Sequence, residues 1–455
     1  MRRSKTYLFW ALGLGLAIAL LAGLWWWRAH RRVPAAITQT ETAFEFAIYF
    51  LPKAPADALA AVDEAARAFP EWAISDGQPG PAAGQVRVFR SLVDDVAKSY
   101  APPDGQSLRL FARGLTPAQQ RALGLSRQAL RLQFRVPPGR ALDGLRGACQ
   151  VTLAVARRTG GLLWDQETRE VFTPKEWESR RVEDWPASTV PDVSRQVVIH
   201  SYRSGDYLRA ITLGMAKLGL PDLVVESFAS SNSRSMGNLL NLTAQALAEG
   251  AAVRDGEFTL RIAALRHPRV RAEELASLKP HAKDEVVLRL REGRADEGDP
   301  ANRLLEIGFD RYEGPDPRAR QDRLLGDLFG WEDAVAEVRH DDVLLAASRK
   351  ARERLPVMKT IMAGGLEPGQ ILMVKAPFAK PDGGAEWMWV EVVGWRGSRI
   401  RGVLTNEPFG VPGLRAGQEV VVAEADVFDY LLQNPDGTEE GNETSIIIEA
   451  QTKAP

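Results

Sequence analysis

Four polar side chains near the C-terminal end of the chain are of types that can perform acid–base chemistry. Glu386 and Glu391 lie in the apolar run EWMWVEVV, and Asn406 and Glu407 follow a second apolar run at 400–404. If these runs pair as antiparallel strands, the carboxylates converge, and two carboxylates with different pKa values can act as acid and base. Glu386 and Glu391 are an odd number of positions apart, so a regular strand directs them to opposite faces. The spacing therefore favours a structural role, and no catalytic residue is assigned.

The same region contains candidates for an interaction surface. Aromatic side chains are enriched at interaction hot spots, although the valines beside these tryptophans favour packing in a core. The sequence Asn-Glu-Pro is also typical of a turn in which the asparagine bonds its own backbone. The candidate interaction residues are Glu386, Trp387, Trp389, Asn406 and Glu407.

The remaining sequence contains no metal, cofactor or nucleotide motif. Cys149 is the single cysteine, which excludes an intramolecular disulfide and a cysteine-based zinc site, and the five histidines are scattered. Cys149 lies among apolar helical positions, which favours a small buried hydrophobe over a reactive thiol. No glycine-rich phosphate loop follows a predicted strand. With a net charge of −1, the sequence predicts no metal, no cofactor and no nucleic-acid partner.

The stretch Tyr7–Trp27 contains no charged residue and would position all of these elements relative to a membrane. As a helix it would be roughly 31 Å long, which matches the hydrocarbon core of a bilayer. Its nine Leu, Ile and Phe residues favour insertion by about 3–5 kcal/mol. We therefore predict a single-pass transmembrane anchor that contacts the lipid bilayer through Tyr7–Trp27.

The residues on either side of this stretch bear on cleavage and orientation. Three tryptophans and then Arg28, Arg31 and Arg32 follow the apolar run, whereas a signal peptide has a shorter apolar region followed closely by small residues. Basic residues also precede the run, and a small excess on that side favours an N-terminus inside the cytoplasm. The soluble region is then predicted to be extracytoplasmic (periplasmic), with the cytoplasmic orientation left open.

Beyond the anchor, the chain alternates strand and helix patterns without a regular βαβ period. Alternating apolar residues from Phe44 to Phe50 predict a strand with one buried face, and Leu108–Ala112 is also predicted to be a strand. A helix from Asp341 or Asp342 is predicted to be interrupted at Pro356, and Asp426–Leu432 is predicted to be a short amphipathic helix. The predicted fold class is α+β, with mixed or antiparallel sheet domains that carry helices on one face, and a small C-terminal α+β module.

The predicted segments follow from composition and pattern. They are a membrane anchor with basic flanks at 1–32, a tether at 33–42, α+β domains at 43–165 and 166–292, a polar linker or helical segment at 293–340, the C-terminal module at 341–435 and a tail at 436–455.

Several spaced motifs in the C-terminal module resemble a known family. They are VKAPF at 374–378, EWMWVEV at 386–392, GVLTNEP at 402–408, then Leu414, Gly417 and Val420, and finally Asp429-Tyr430. Together they resemble the YegJ-like bacterial family, domain of unknown function 2314, over about 350–432. Trp387 and Tyr430 depart from that family, which commonly has His and Trp there. The resemblance implies a small α+β module in bacterial proteins and no particular activity.

Two functional hypotheses follow from the sequence. The first is a membrane-anchored, non-enzymatic bacterial protein whose α+β domains bind another protein or an envelope component. The alternative is a membrane-bound enzyme, such as a hydrolase, with a site near Glu386–Glu407. A deep pocket lined by these polar residues with shifted pKa values would favour the enzyme.

Overall fold

The structure, a computed structural model, describes residue 37 and residues 41–452, apart from 52–53, 78–79, 82–83, 184, 186–189, 332–341, 368 and 382. The predicted anchor Tyr7–Trp27 lies outside the described residues, so it stays a prediction. Within the described residues, no helix has both the length and the apolar character needed to cross a bilayer.

The described strands form three sheets with helices packed against them, which confirms the mixed α+β class. We name the three parts the N-terminal unit (42–183), the middle unit (193–331) and the C-terminal module (342–452).

The N-terminal unit is built on a seven-stranded sheet with the order β2-β3-β5-β1-β6-β7-β4. Its strands are β1 (Thr42–Tyr49), β2 (Ala73–Asp76), β3 (Arg87–Val93), β4 (Ala112–Arg113), β5 (Ala129–Val136), β6 (Leu162–Asp165) and β7 (Glu170–Phe172). Its helices are α1 (Ala58–Ala66), α2 (Val96–Ser99), α3 (Gly105–Phe111), α4 (Pro117–Gly124), α5 (Ala141–Thr159) and α6 (Pro174–Trp177), followed by a π-helical turn at Glu178–Glu183. The sheet thus continues past residue 165.

Strand β1 is buried on both faces, whereas its alternating pattern predicted one buried face. It lies between β5 and β6, antiparallel to both. Phe46 and Ile48 enter the main core, and Ala47 and Tyr49 are buried on the opposite face. A central strand has a covered second face, and small or aromatic residues fill it here.

The predicted strand at Leu108–Ala112 is wrong, because this segment is mostly helix α3. The Asp104 carboxylate caps the helix by accepting a hydrogen bond from the Ser107 backbone N–H at 2.7 Å. A local cap of this kind stabilises a helix start, and it outweighed the apolar pattern.

The middle unit contains a six-stranded sheet with the order β11-β12-β13-β10-β9-β8. Its strands are β8 (Val198–Ser204), β9 (Tyr207–Leu213), β10 (Asp222–Phe228), β11 (Glu257–Arg261), β12 (Glu285–Glu292) and β13 (Leu304–Gly308). Its helices are α7 (Ser233–Ala248), α8 (Pro268–Ser277) and α9 (Pro317–Phe329). The polar segment 293–340 therefore contains β13, in the middle of this sheet, and helix α9.

A buried ionic cluster joins the first two units. Lys217, on a 3-10 turn of the middle unit, contacts the carboxylate of Asp165 at the end of β6. Arg181 also reaches Asp165 at 3.1 Å and Glu170 at 2.7 Å, and all four side chains are buried. Burial raises the pKa of Asp165, but the charges of Lys217 and Arg181 outweigh it and hold that pKa below its ordinary value.

The C-terminal module contains a fully antiparallel six-stranded sheet with the order β17-β16-β15-β14-β18-β19. Its strands are β14 (Ile371–Ala379), β15 (Ala385–Arg396), β16 (Arg399–Leu404), β17 (Glu419–Ala423), β18 (Asp429–Gln433) and β19 (Glu439–Gly441). Its helices are α10 (Asp342–Gly364) and α11 (Glu443–Thr452). The segment expected as a tail thus contributes β19 and α11.

Two sequence-based predictions in this module are wrong. Helix α10 continues through Pro356, because Leu355 and Met358 on either side of the proline are buried in the module core and hold the helix together. The predicted helix at Asp426–Leu432 is a 3-10 turn followed by β18, since pairing with β14 and β19 fixes this segment as a strand.

Candidate functional site

Strand β15 sends its side chains alternately to the two faces of the module's sheet. Met388, Val390 and Val392 are buried in the module core, to which α10 also contributes. On the opposite face, Val393 packs against Ala229 of the middle unit. Odd and even positions along β15 therefore place their side chains on opposite faces of the sheet.

Glu386 fixes the backbone of a neighbouring loop. Its carboxylate accepts hydrogen bonds from the Phe409 N–H at 2.9 and 3.1 Å and from the Gly410 N–H at 2.8 Å. Loop N–H groups have no strand partner, so an ionised acceptor replaces the missing backbone bonds. Glu386 thus holds the tip of the loop at 405–418, which we call the cleft loop.

Asn406 and Glu407 hold the same loop at its base. Asn406 Oδ1 accepts a hydrogen bond from the Trp389 N–H at 3.0 Å, and Glu407 Oε2 accepts one from the Ala416 N–H at 3.0 Å. Backbone bonds between Leu404 and residues 417–418 close the loop. The structure therefore brings three of the candidate residues to one loop, as acceptors for backbone N–H groups.

Glu391 has a different role from Glu386. Its buried carboxylate accepts hydrogen bonds from the Ser230 N–H at 2.7 Å and the Ser231 N–H at 2.8 Å, just before α7. A carboxylate there also interacts favourably with the positive end of the helix. Glu391 therefore attaches the module to the middle unit, and the two glutamates of β15 do not form a paired acid–base site.

Trp387 and Trp389 pack within the module. The Trp387 ring lies 4.5 Å from the ring of Phe428, and the Lys375 Nζ lies 5.5 Å from the centre of the Trp389 ring. Both tryptophans are partly buried. Burial lowers the pKa of Lys375, although the negative charge of Asp429 acts to raise it. These contacts place both rings in the module's packing.

A cleft of about 770 Å³ lies between the middle unit and the C-terminal module. The middle unit lines it with the start of α7, the end of α8, one side of α9 and Trp331. The module lines it with residues 405–409 and Ala416 of the cleft loop. Asn406 and Glu407 therefore line the cleft as well as shaping the loop, and its volume lies in the range of ligand pockets.

Asp322, on α9, is an acidic group of the cleft lining with a raised pKa. Burial and the charge of Glu407 raise its pKa from 3.8 to about 6, although a hydrogen bond with Asn232 opposes the shift. A carboxyl group of this kind can hold or release a proton close to neutral pH. The cleft thus contains a second carboxylate beside Glu407, on the opposite wall.

One wall of the cleft carries an aromatic ring on a fixed backbone. Lys279 and Phe329 share a backbone hydrogen bond of 2.8 Å, and the Trp331 N–H donates to Pro280 O at 3.0 Å. The Trp331 ring stacks on His281 with 5.0 Å between centroids and remains 36% exposed. On the other wall, Phe409 is 81% exposed at the tip of the cleft loop.

The two walls are attached to each other beside the cleft. The Glu419 N–H donates to Asp316 Oδ2 at 2.9 Å, and the Glu419 side chain contacts Arg318 and Tyr207. Gly417 has a φ of +76°, and a Cβ at this position would lie 2.6 Å from Arg318 O. The cleft loop thus lies directly on α9, and only a glycine allows this approach.

Sequence reasoning missed Asp322, Trp331 and Phe409. Asp322 lies in the segment 293–340, for which the sequence predicts a polar linker or helical segment. The pair Asp316-Pro317 was a usable signal, because an aspartate before a proline is typical of a helix start. Asp316 does cap α9, by accepting from the N–H groups of residues 318 and 319.

Neither the single cysteine nor a set of metal-ligating residues forms a second site in the described part of the chain. Cys149 is fully buried, and burial raises the pKa of its thiol to about 12, so it is a packing residue. Among the described residues, no cluster of three or more His, Cys, Asp or Glu side chains is placed to hold a metal ion.

The fold and the motif residues define the class of the protein: an α+β protein of three sheets with a bacterial module at its C-terminal end. Residues 341–452 match the family model described as an uncharacterized protein conserved in bacteria, domain of unknown function 2314. This confirms the resemblance and extends it to the start of α10 and to β19 and α11. The matched segment is roughly a quarter of the chain. No curated protein and no solved structure matches the chain.

Proposed function

We propose that this protein is a membrane-anchored bacterial binding protein that captures its ligand in the cleft between the middle unit and the C-terminal module. The observation that carries the proposal is the cleft, whose module wall contains the motif Asn406-Glu407-Pro408. Exposed aromatic rings on both walls are also typical of recognition surfaces.

The contacts of the motif residues support binding rather than catalysis. The side-chain oxygens of Glu386, Asn406 and Glu407 accept backbone N–H bonds that shape the cleft loop. A catalytic acid or base needs its oxygens directed at the substrate. These side chains instead hold a preformed loop, which lowers the entropy lost on binding.

The membrane part of the proposal rests on the sequence. Tyr7–Trp27 serves as the anchor, and the charge difference across it favours an extracytoplasmic position for the soluble units. Protease added to intact spheroplasts is expected to digest the soluble units. Full protection in intact spheroplasts, with digestion after lysis, would reverse the orientation.

Site-specific photo-crosslinking tests the binding role directly. A photoreactive amino acid replaces Phe409 in the full-length protein in native membranes, and Val421, which is 53% exposed on the edge strand β17, is the matched control position. We expect a discrete adduct from position 409 that position 421 does not give. Identical adducts at the two positions, or none at 409, would reject the cleft as a binding site.

A membrane-bound hydrolase with a site near Glu386–Glu407 is the second candidate. The observation that favours it is Asp322, whose pKa of about 6 and proximity to the charge of Glu407 suit a proton donor beside a second carboxylate. A panel of p-nitrophenyl esters, phosphates and glycosides tests it. Turnover by the wild type that Asp322→Asn abolishes would replace the binding proposal with the enzyme.

A further inference from the structure

We infer that the ligand of the cleft is a neutral oligosaccharide. This inference rests on the proposed binding function and specifies the chemical class of its ligand. It is carried by three properties of the lining: the kind of polar group, the balance of charge and the exposure of aromatic rings.

The polar lining consists largely of short hydroxyl and amide side chains. They include Ser231, Ser235, Ser277, Thr405, Asn238 and Asn406. A hydroxyl and an amide can each both donate and accept hydrogen bonds. A sugar presents neighbouring hydroxyls with the same double capacity, so each can be matched without placing a charge opposite it.

The charges in the lining nearly cancel. Arg234, Lys279 and Arg323 supply three positive charges, and Asp322 and Glu407 supply two carboxylates. A site for a phosphate-rich ligand concentrates positive charge and excludes carboxylates, because like charges raise the free energy of binding. The near balance therefore indicates a ligand without net charge.

Two exposed rings line the cleft from opposite walls. Trp331 belongs to the middle-unit wall and Phe409 to the module wall, and both are among the more exposed large hydrophobic side chains of the described residues. A flat ring offers an apolar face without requiring a deep pocket. The C–H face of a sugar ring is the matching surface, while the sugar's hydroxyls point sideways to the serine and asparagine groups.

The lining does not fit the usual ways of binding a peptide. An extended peptide adds to an exposed strand edge, and a helical peptide needs a continuous apolar groove. The described lining residues lie on α7, α8, α9, turns and loops rather than on strands, and Leu325 is their one leucine, isoleucine or valine. A sugar chain needs neither feature.

Isothermal titration of the detergent-solubilised full-length protein tests this inference. The probes are chitotetraose, cellotetraose and maltotetraose, three neutral tetrasaccharides of different linkage or substitution. We expect at least one to bind, with Kd weakened tenfold or more by Phe409→Ala and by Trp331→Ala. Leu125→Ala, at a site 74% exposed on the N-terminal unit, is the matched control and should leave Kd unchanged.

The outcomes distinguish failure of the oligosaccharide inference from failure of the binding function on which it rests. No heat from any of the three sugars, or a Kd that both ring substitutions leave unchanged, would overturn the oligosaccharide. If position 409 then still crosslinks to a protein in native membranes, the binding function stands with a different ligand. If crosslinking fails as well, both proposals are rejected. If the wild type shortens a bound sugar and Asp322→Asn does not, the protein is a hydrolase and the non-enzymatic binding function is rejected.

Discussion

At the scale of single residues, the polar side chains of the C-terminal motifs act mainly as backbone acceptors. Glu386 and Glu407 each satisfy N–H groups of the cleft loop, and Glu391 satisfies the N–H groups before α7. A buried or half-buried N–H without an acceptor costs free energy, so these carboxylates determine which loop conformation is stable. The main role of these carboxylates is therefore to stabilise the backbone conformation.

Replacing Glu386 tests this role. Glu386→Ala removes the acceptor for the N–H groups of Phe409 and Gly410, and we expect it to destabilise the C-terminal module by roughly 1–3 kcal/mol. Hydrogen–deuterium exchange at residues 409–410 should accelerate. Glu386→Gln keeps one acceptor oxygen and should show a smaller effect. Unchanged exchange in Glu386→Ala would exclude this role for the carboxylate.

Asp322 gives a pH dependence with a definite sign. Because its folded-state pKa is about 6 against an ordinary 3.8, the folded protein binds this proton more tightly than the unfolded chain does. Stability from the protonated form is complete below pH about 4 and is lost as pH rises to about 6. Across this window, we expect the free energy of unfolding of the wild type to fall by up to roughly 2–3 kcal/mol relative to that of Asp322→Asn.

Urea denaturation at pH 4 and pH 6.5 measures the difference between wild type and Asp322→Asn. Asp426→Asn, at an exposed aspartate outside the cleft, should follow wild type at both pH values. If the difference in unfolding free energy between wild type and Asp322→Asn is the same at both pH values, the raised pKa is contradicted.

At the scale of elements, the sequence predicted the strand pair at the centre of the module but not how the middle unit and the module meet. The apolar runs at 386–393 and 400–404 do form the pair β15 and β16, and their motif residues do lie at one loop. The walls of the cleft depend on contacts between residues about a hundred positions apart, such as Asp316 with Glu419. Local spacing carries no information about such contacts, which is why Asp322 was missed.

Gly417 allows a direct test of how closely the cleft loop approaches α9. Gly417→Ala combines a positive φ with a Cβ 2.6 Å from Arg318 O, so the loop must move. Gly413→Ala has a similar φ of +87° but nothing within 4 Å. The alanine at 413 should cost about 1–2 kcal/mol for backbone strain alone, and the alanine at 417 should cost more.

The stabilities of the two glycine variants are compared by thermal unfolding of the full-length protein. The loop movement in Gly417→Ala should also weaken the contacts of Glu419 with the middle unit, which limited proteolysis near residue 417 detects. Equal destabilisation by the two alanines would mean that the approach to α9 contributes nothing.

The predicted anchor has its own test at this scale. Leu16→Lys places a charge at the centre of Tyr7–Trp27, at a cost of about 2.5–3.5 kcal/mol against a similar insertion free energy. We expect release into the soluble fraction or loss of the protein during carbonate extraction of membranes. Leu16→Ile is the matched control and should stay in the membrane. Full retention of Leu16→Lys would count against the anchor.

At the scale of the whole molecule, the three sheets are built on two main hydrophobic cores. The hydrophobic core runs continuously from the N-terminal unit into the middle unit, whereas the C-terminal module has a separate core. The ionic cluster of Asp165, Arg181 and Lys217 lies where the first two units meet. Composition and spacing could not reveal this cluster, because Asp165 and Lys217 lie in different units. Nothing in the local sequence of either residue distinguishes it from an exposed charged residue.

Lys217→Met tests whether this cluster joins the two units. Removing one partner of a buried ion pair leaves charge without compensation, so we expect a loss of about 3–5 kcal/mol in the unfolding of the N-terminal and middle units together. The double variant Lys217→Met with Asp165→Asn should recover part of that loss. Differential scanning calorimetry checks the prediction, and the transition of the C-terminal module should stay in place. A loss confined to the middle unit would exclude the coupling.

The position of β1 in its sheet also determines the order in which this chain can fold as it is synthesised. β1 follows directly after the tether, but both of its neighbours, β5 and β6, come much later, at residues 129–136 and 162–165. Non-local strand pairs must wait for both partners. The ribosome therefore has to release the chain as far as residue 136 before β1 can pair with its first neighbour, and until then the phenylalanines of β1 lack the strands that cover them.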